Sequence, residues 1–580
     1  MKAFAGVICI ATSLFLGGCE DQGSVPKSVT SAGLSANEKL TEHSKEFEAA
    51  VIQVTDNVHV AVGYGLANSI LIEGKNGVII VDTTESVAVA EAVKKEFDKI
   101  TKKPVKAIIY THNHVDHIMG SGVFAGDGNP DIYSYETTPH YIDKILQIIR
   151  PVIYKRSMRQ FGSLLPDGGV LNAGIGPFLD SGPSTPVDLL RPTKTFSGDS
   201  TKLNIEGVSI ELYFAPGETP DQIFVWLPDQ KLLMPGDNFY RSFPNLYAIR
   251  GTAYRDVMDW ASSIDKMRVL KPEYLVPSHT RPLQGADEIY KHLTDYRDAI
   301  QYVHDQTIRG MNMGYSLQQI TERVKLPAHL ANSPYLQEFY GRVDWSVRSI
   351  FSGYLGWFGG NATDLTPLDE LENARRMVEL AGGIDALRDK SQTALAIKDY
   401  QWALKLADIL LVLDKDDEVA QDNRTISLKA LGAREISATG RSYYLTQAAE
   451  MEGLSITEPD TTLVPERMLR SFPVAQYMKA MSVNLAAEDA IDKDMTVGFE
   501  FTDTNEVFSI RIRRGVAIVK AEAAVNPQAS IRTETYVWKE ILAKRRNPAL
   551  AFASGDVEVT GSVLDLLSFL SLFQPIENPS

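Results

Sequence analysis

The sequence predicts a mixed chain in three parts: an α/β domain, then an all-helical stretch, then a small α+β domain. Three observations predict it. Short apolar strand patterns with an interposed amphipathic helix begin at Val58. Strand signals vanish from about 289 to 440, where Ala-rich amphipathic stretches take over. Period-two alternation then returns at Val497, Phe499 and Phe501. At about 150 residues per domain, a chain of 580 also asks for several packed units rather than one core.

The amino terminus reads as an export signal. Met1 and Lys2 precede an apolar run over 3–16, too short to span a bilayer but suited to a signal-peptide core. It ends in Leu16-Gly17-Gly18-Cys19, which resembles the bacterial lipobox, so 1–18 is expected to be removed and Cys19 lipidated. Polar residues over 19–45 then form a flexible tether. By the same resemblance, Glu20 points to a periplasm-facing lipoprotein of the outer membrane. Cys9 and Cys19 are the only cysteines, so no disulfide framework holds the body of the protein.

The α/β domain is expected over 46–288. Strands at 58–62, 69–72 and 78–81 lead into a helix over 84–100, whose Val89, Val93, Phe97 and Ile100 fall on one face. Further strands follow at 105–110, 208–214, 223–227 and 274–276. The helical domain is expected over 289–440, with a pair at 393–413 and 417–431 similar to a tetratricopeptide-type hairpin. Turn-rich residues at 453–462 precede a last domain over 456–577, which ends in an apolar run at 563–573. That run exceeds what one helix face needs, and reads either as a core helix or dimer contact or as the lining of a lipid cavity. A net charge of −16 without a compensating Lys/Arg block repels phosphate backbones, which excludes nucleic acid as a partner.

Chemistry concentrates after the strand at 105–110, in Thr111-His112-Asn113-His114-Val115-Asp116-His117. Four metal-competent side chains in six positions are hard to explain as packing, because each would need a partner if buried. Imidazole and carboxylate suit zinc, and a strand end can aim His112 and His114 at one ion while the turn carries Asp116 and His117 to a second. All ten histidines lie at or before His329. His43, His59, His140, His292 and His304 stand alone and read as structural or surface residues.

This H-x-H-x-D-H motif resembles that of the metallo-β-lactamase superfamily, which implies an αββα sandwich for the first domain. The resemblance carries the remaining ligand positions onto Asp237 in Gly236-Asp237, His279 in Ser278-His279, and Glu218 in Pro216-Gly217-Glu218-Thr219-Pro220, where the superfamily usually has histidine. Glu at that position is characteristic of the alkylsulfatase branch, although Asp237 departs from the Glu that branch often uses. The implied ligand sets are His112, His114, Glu218 and Asp237 around one zinc, and Asp116, His117, Asp237 and His279 around the other, with Asp82 orienting a ligating imidazole. Alkylsulfatases also carry a helical dimerisation domain and a sterol-carrier-like C-terminal domain, and this chain shows that order. Residues 352–361 resemble the family's dimerisation segment; dimer contact and ordinary core both predict their burial.

The resemblance implies zinc-dependent hydrolysis of alkyl sulfate esters such as dodecyl sulfate by water activated at two zinc ions per chain, in a homodimer. Asn245 and Arg250 are the candidates for holding the sulfate oxygens, and Asp116 also orients the attacking water. Arginine's planar fork suits an oxyanion; Arg255 is a further candidate anion contact. Attack on carbon, as the family implies, or on sulfur is a matter of geometry. Hydrolysis of a phosphodiester or lactone, or a lipid carrier without activity, are the competing readings.

Overall fold

The structure, a computed structural model, describes residues 38–573. The predicted signal segment, Cys9, Cys19 and the tether up to residue 37 lie outside the described residues.

Two sheets face one another. Seven strands lie side by side in chain order, from Ala50–Thr55 to Lys194–Phe196, and six more, from Ser200–Ile205 to Leu283–Gln284, form the second sheet. Strands joined by tight turns pair antiparallel, as Ser69–Glu73 does with Val78–Val81. Val78–Val81 instead pairs parallel with Val105–Ile109, because the helix Val87–Ile100 between them acts as a crossover. Ser86 starts that helix by accepting a hydrogen bond from the Val89 amide.

The central strands Val78–Val81, Ile223–Leu227 and Leu232–Met234 are apolar without interruption because both of their faces are covered. Val60, Ile70, Ile79 and Ile109 meet Leu212, Val225 and Met234 of the second sheet in the centre of the sandwich. On the far side, Leu71, Ile80 and Ile108 pack under Ala90, Val93 and Phe97. The outer face of the second sheet is covered by the helices Val257–Val269 and Ala286–Asn312, through Trp260, Ile264, Leu293 and Ile300. The result is the four-layered αββα arrangement. The sequence division at 288 falls inside Ala286–Asn312, whose buried face belongs to the sandwich, and helix Ala438–Met451 runs across the division at 440.

Other sequence expectations need correction. The helix predicted at 393–413 is two helices, Ile384–Ala396 and Tyr400–Leu413. Lys398 breaks it with φ of 64°, and Asp399 caps the new start by accepting from the Trp402 amide. Residues 38–45, read as part of the tether, are instead packed on the body: helix Glu38–His43 buries Leu40 and His43, with Leu40 against Phe339 and Ala438. Residues 352–361 are not buried within their own chain. Tyr354, Leu355 and Trp357 are 53%, 54% and 77% exposed, which removes the core reading and leaves an apolar surface.

The last unit is a five-stranded sheet in which Asp494–Phe501 sits centrally, antiparallel to Val507–Arg513 and parallel to Ala529–Thr533. Its final helix, Val563–Leu570, has two apolar faces. Leu566 and Phe569 enter the core, while Leu564 and Leu567 are exposed. Among the described residues, no helix is long and apolar enough to cross a membrane.

Candidate metal centre

Parallel pairing of Val78–Val81 with Val105–Ile109 brings both strands' C-terminal ends to one edge of the sandwich. Asp82 follows the first strand and Thr111 the second. The Asp82 carboxylate accepts from the Thr111 amide and hydroxyl, both at 2.9 Å, and from the Ser278 hydroxyl at 2.9 Å. It also lies 2.7 Å from Nδ1 of His117, on the short helix Val115–Ile118. The second sheet supplies the opposite wall: Glu218 precedes Ile223–Leu227, Asp237 follows Leu232–Met234, and His279 follows Tyr274–Leu275.

All seven sequence-predicted ligand positions converge there. His112 Nε2 is 3.6 Å from Asp237 Oδ2, and His117 Nε2 is 3.3 Å from Asp237 Oδ1 and 3.4 Å from Asp116 Oδ2. His279 Nε2 is 3.1 Å from Asp237 Oδ1 and 3.6 Å from Asp116 Oδ2, and His114 Nδ1 is 3.9 Å from Glu218 Oε1. Three overlapping groups have ligand atoms within 4.8 Å of one another: His112, His117 and Asp237; Asp116, His117 and His279; His114, Glu218 and Asp237. Nε2 of His112, Nε2 of His117 and Oδ1 of Asp237 are buried without hydrogen-bond partners. Orphaned polar atoms on one point are costly in a protein interior, and a cation among them relieves that cost.

Protonation states divide the set into ready donors and imidazoles that a metal would have to deprotonate. Burial keeps His112 and His114 neutral, well below the usual imidazole range. Burial also opposes ionisation of Asp237, yet His279 and His117 hold it well below the carboxylate range. The His117 imidazole is drawn upward, against its burial, by Asp237, Asp116 and Asp82. Against its own burial, His279 is likewise drawn upward by Asp237 and Asp116. His117 and His279 would therefore each release a proton as a metal takes their Nε2, while neutral His112 and His114 and ionised Asp237 are donors as they stand.

Arg250 and Arg255 bring positive charge to the same place. Arg250 Nη2 is 3.0 Å from His114 Nε2. Arg255 is 3% exposed, donates from Nη1 to the Asn245 carbonyl and lies 3.0 Å from Glu218 Oε1, while its Nε and Nη2 have no partner. Asn245 is buried beside them, and its amide donates to the Tyr240 hydroxyl at 2.9 Å. Tyr240 in turn is 3.3 Å from Glu218 Oε2.

Three supporting residues were not found in the sequence. Arg156 donates to the carbonyls of Ile249 and Arg250, both at 2.6 Å, and Gln160 accepts from the Arg250 amide at 2.9 Å. Both lie on helix Arg150–Phe161, some ninety residues from the loop they hold, and Tyr240 resembles any core aromatic. No local motif marks them. His43, His59 and His292 lie away from the cluster: His43, for example, contacts the Gly174 carbonyl and stacks on Phe339.

Comparison with known proteins follows this geometry. Residues 62–279 match the metallo-beta-lactamase superfamily, 316–453 alkyl sulfatase dimerisation, and 462–579 the alkyl sulfatase C-terminal domain. The chain is 37% identical over 524 residues to a linear primary-alkylsulfatase of Pseudomonas sp. (strain ATCC 19151), covering 87% of this chain and 98% of that protein. It is 26% identical over 537 residues to an (R)-specific secondary-alkylsulfatase of Pseudomonas sp., covering 90% and 80%. The solved structure of the stereoselective inverting sec-alkylsulfatase Pisa1 from Pseudomonas sp. superposes with a TM-score of 0.85 at 24% identity, over 91% of this chain and 85% of that one. With three domains matched in order and this similarity to a relative nearly end to end, the chain belongs to the alkylsulfatase family of the metallo-β-lactamase superfamily.

Proposed function

We propose that the protein hydrolyses alkyl sulfate esters to alcohol and sulfate, and that it does so with two zinc ions per chain. The observation that carries this reading is the convergence of a complete imidazole and carboxylate set with two arginines at one buried point. His112, His114, Glu218 and Asp237 would hold one ion, and Asp116, His117, Asp237 and His279 the other. Bound zinc supplies Lewis acidity, lowering the pKa of water and drawing charge from a sulfate oxygen.

The chain's own residues do the rest. The Arg250 guanidinium, fixed through its backbone by Arg156 and Gln160, offers its fork to the sulfate oxygens, with Asn245 beside it. Arg255 adds charge through its unpartnered Nε and Nη2. Asp116, held ionised by His117 and His279 against its burial, orients the attacking water. The exposed apolar segment around Trp357 joins two copies into a homodimer, and lipidated Cys19 anchors the protein in the outer membrane, facing the periplasm.

The test is metal analysis of the purified chain together with sulfate release from dodecyl sulfate, before and after chelation. Two zinc ions per chain and sulfate release that is lost on chelation and restored by zinc are expected. Two zinc ions without release would refute the substrate, and release indifferent to chelation would refute the zinc reading. Replacing Cys19 should move the protein from the membrane to the soluble fraction; retention there would refute the anchor.

A further inference from the structure

The turn 82–86 carries a second acid that the chemistry above does not use. Glu85 is 3% exposed, and its Oε1 accepts from the backbone amides of Leu66 at 2.9 Å and Asp180 at 3.1 Å. Its Oε2 is buried without a partner. The held residue is not incidental: the Leu66 carbonyl, in the next peptide unit, lies 2.8 Å from Nδ1 of His279. Two residues on, Asn68 fastens the same loop to the His279 segment. Its amide donates to the Ser278 carbonyl at 2.7 Å, and its side chain donates to the carbonyls of Pro277 and Thr280 at 3.0 and 2.8 Å.

Resting on the zinc reading above, we propose that Glu85 is a positioning residue for His279, fixing its tautomer and direction through the two successive peptide units that meet at Leu66, as Asp82 does directly for His117. Both acids stand on one strained turn. Asp82 and Thr84 have φ of 58° and 64°, the latter unusual for a β-branched residue, and the turn is held by Thr83, which bonds the His117 carbonyl through its amide at 2.7 Å and its hydroxyl at 2.9 Å. Turning the chain this sharply sets Asp82 against His117 and, three residues on, Glu85 against the Leu66 backbone that reaches His279, the two histidines that flank Asp237. A Leu66 carbonyl held in place obliges His279 to carry its proton on Nδ1, which leaves Nε2 free to ligate.

Gly65 completes the arrangement. A Cβ there would sit 2.7 Å from both Glu85 carboxylate oxygens and 2.6 Å from Val89 Cγ1, so the loop can approach the acid only with glycine at this position. Burial pushes the Glu85 carboxyl up to about 8. At neutral pH it is therefore a neutral acceptor, which a glutamine amide imitates.

The experiment is titration of zinc into the metal-stripped full chain in competition with a chromophoric chelator, resolving two binding steps. It compares wild type with Glu85→Gln, Glu85→Met, Gly65→Ala, His279→Ala and His114→Ala. Thermal unfolding of each metal-free chain reports folding. Glu85→Met and Gly65→Ala are expected to weaken, by roughly tenfold or more, the step that His279→Ala weakens, leaving the His114 step unchanged. Glu85→Gln is expected to bind like wild type. Gly65→Ala keeps the test available if Glu85→Met does not fold. Unchanged affinities in folded Glu85→Met or Gly65→Ala, equal weakening of both steps, or weakening confined to the His114 step would each overturn the proposal. A wild-type chain that binds no zinc would overturn the zinc reading and this proposal together, whereas two intact wild-type steps with an indifferent Glu85 overturn this proposal alone.

Discussion

Arg255 Nη1 lies 3.0 Å from Glu218 Oε1, with both side chains 1% exposed. Burial raises Glu218 above the usual carboxylate range, and Arg255 is the largest influence opposing that rise. The pair explains how glutamate can occupy a buried ligand position: its charge is neutralised before any cation arrives.

Removing one partner of a buried pair strands the other. In the metal-free chain, Arg255→Met is expected to lower unfolding stability by about 3 kcal/mol, measured by denaturant titration. A change within error would mean that water or another group already satisfies Glu218.

Asp82 fixes His117 through Nδ1 at 2.7 Å. Asp82→Asn is expected to weaken metal binding by roughly 10- to 100-fold, read as zinc retained after dialysis against a chelator. Retention equal to wild type would show that His117 needs no such support.

Arg250 reaches the site beside His114. Arg250→Ala is expected to slow sulfate release from dodecyl sulfate by roughly 100-fold while zinc content stays unchanged, since an oxyanion donor is lost and no ligand is. Loss of zinc along with activity would instead make Arg250 a support of His114.

His43 is buried, stacked on Phe339, and lowered by that burial to about 4 from 6.5. Below about pH 6.5 the unfolded chain takes up a proton that the folded chain refuses, so this contribution is present above that pH. It is lost as pH falls towards 4, and the loss levels off below it. The drop amounts to roughly 3 kcal/mol. His43→Phe should flatten the stability curve over this window; an unchanged slope would assign acid sensitivity elsewhere.

Trp357 is 77% exposed in a stretch that also exposes Tyr354 and Leu355. Trp357→Asp is expected to convert a dimer into a monomer in sedimentation, with the monomer still folded by circular dichroism. A variant that sediments like wild type would remove this segment from the dimer contact.

Two physical facts made much of the site legible in sequence. Ligand side chains must follow strand ends closely, so His112, His114, Asp116 and His117 fall within one short motif, and Gly236-Asp237 and Ser278-His279 follow apolar strands. Two-sided burial likewise left its mark as uninterrupted apolar runs at Val78–Val81 and Ile223–Leu227.

The three-part order and the metal-binding character of the segment at 112–117 were therefore set by local residue pattern, while the αββα layering and the places of Glu218, Asp237 and His279 followed only from resemblance to the superfamily. Tertiary structure alone decided which distant groups support that centre. Arg156 and Gln160 meet the Arg250 loop only because a helix folds back on it, and Glu85 reaches His279 only through the backbone of Leu66, more than two hundred residues before that histidine. Tertiary structure also decided that Trp357 faces outward and Leu40 inward, since the same apolar side chain serves a core or a contact according to what the fold brings against it.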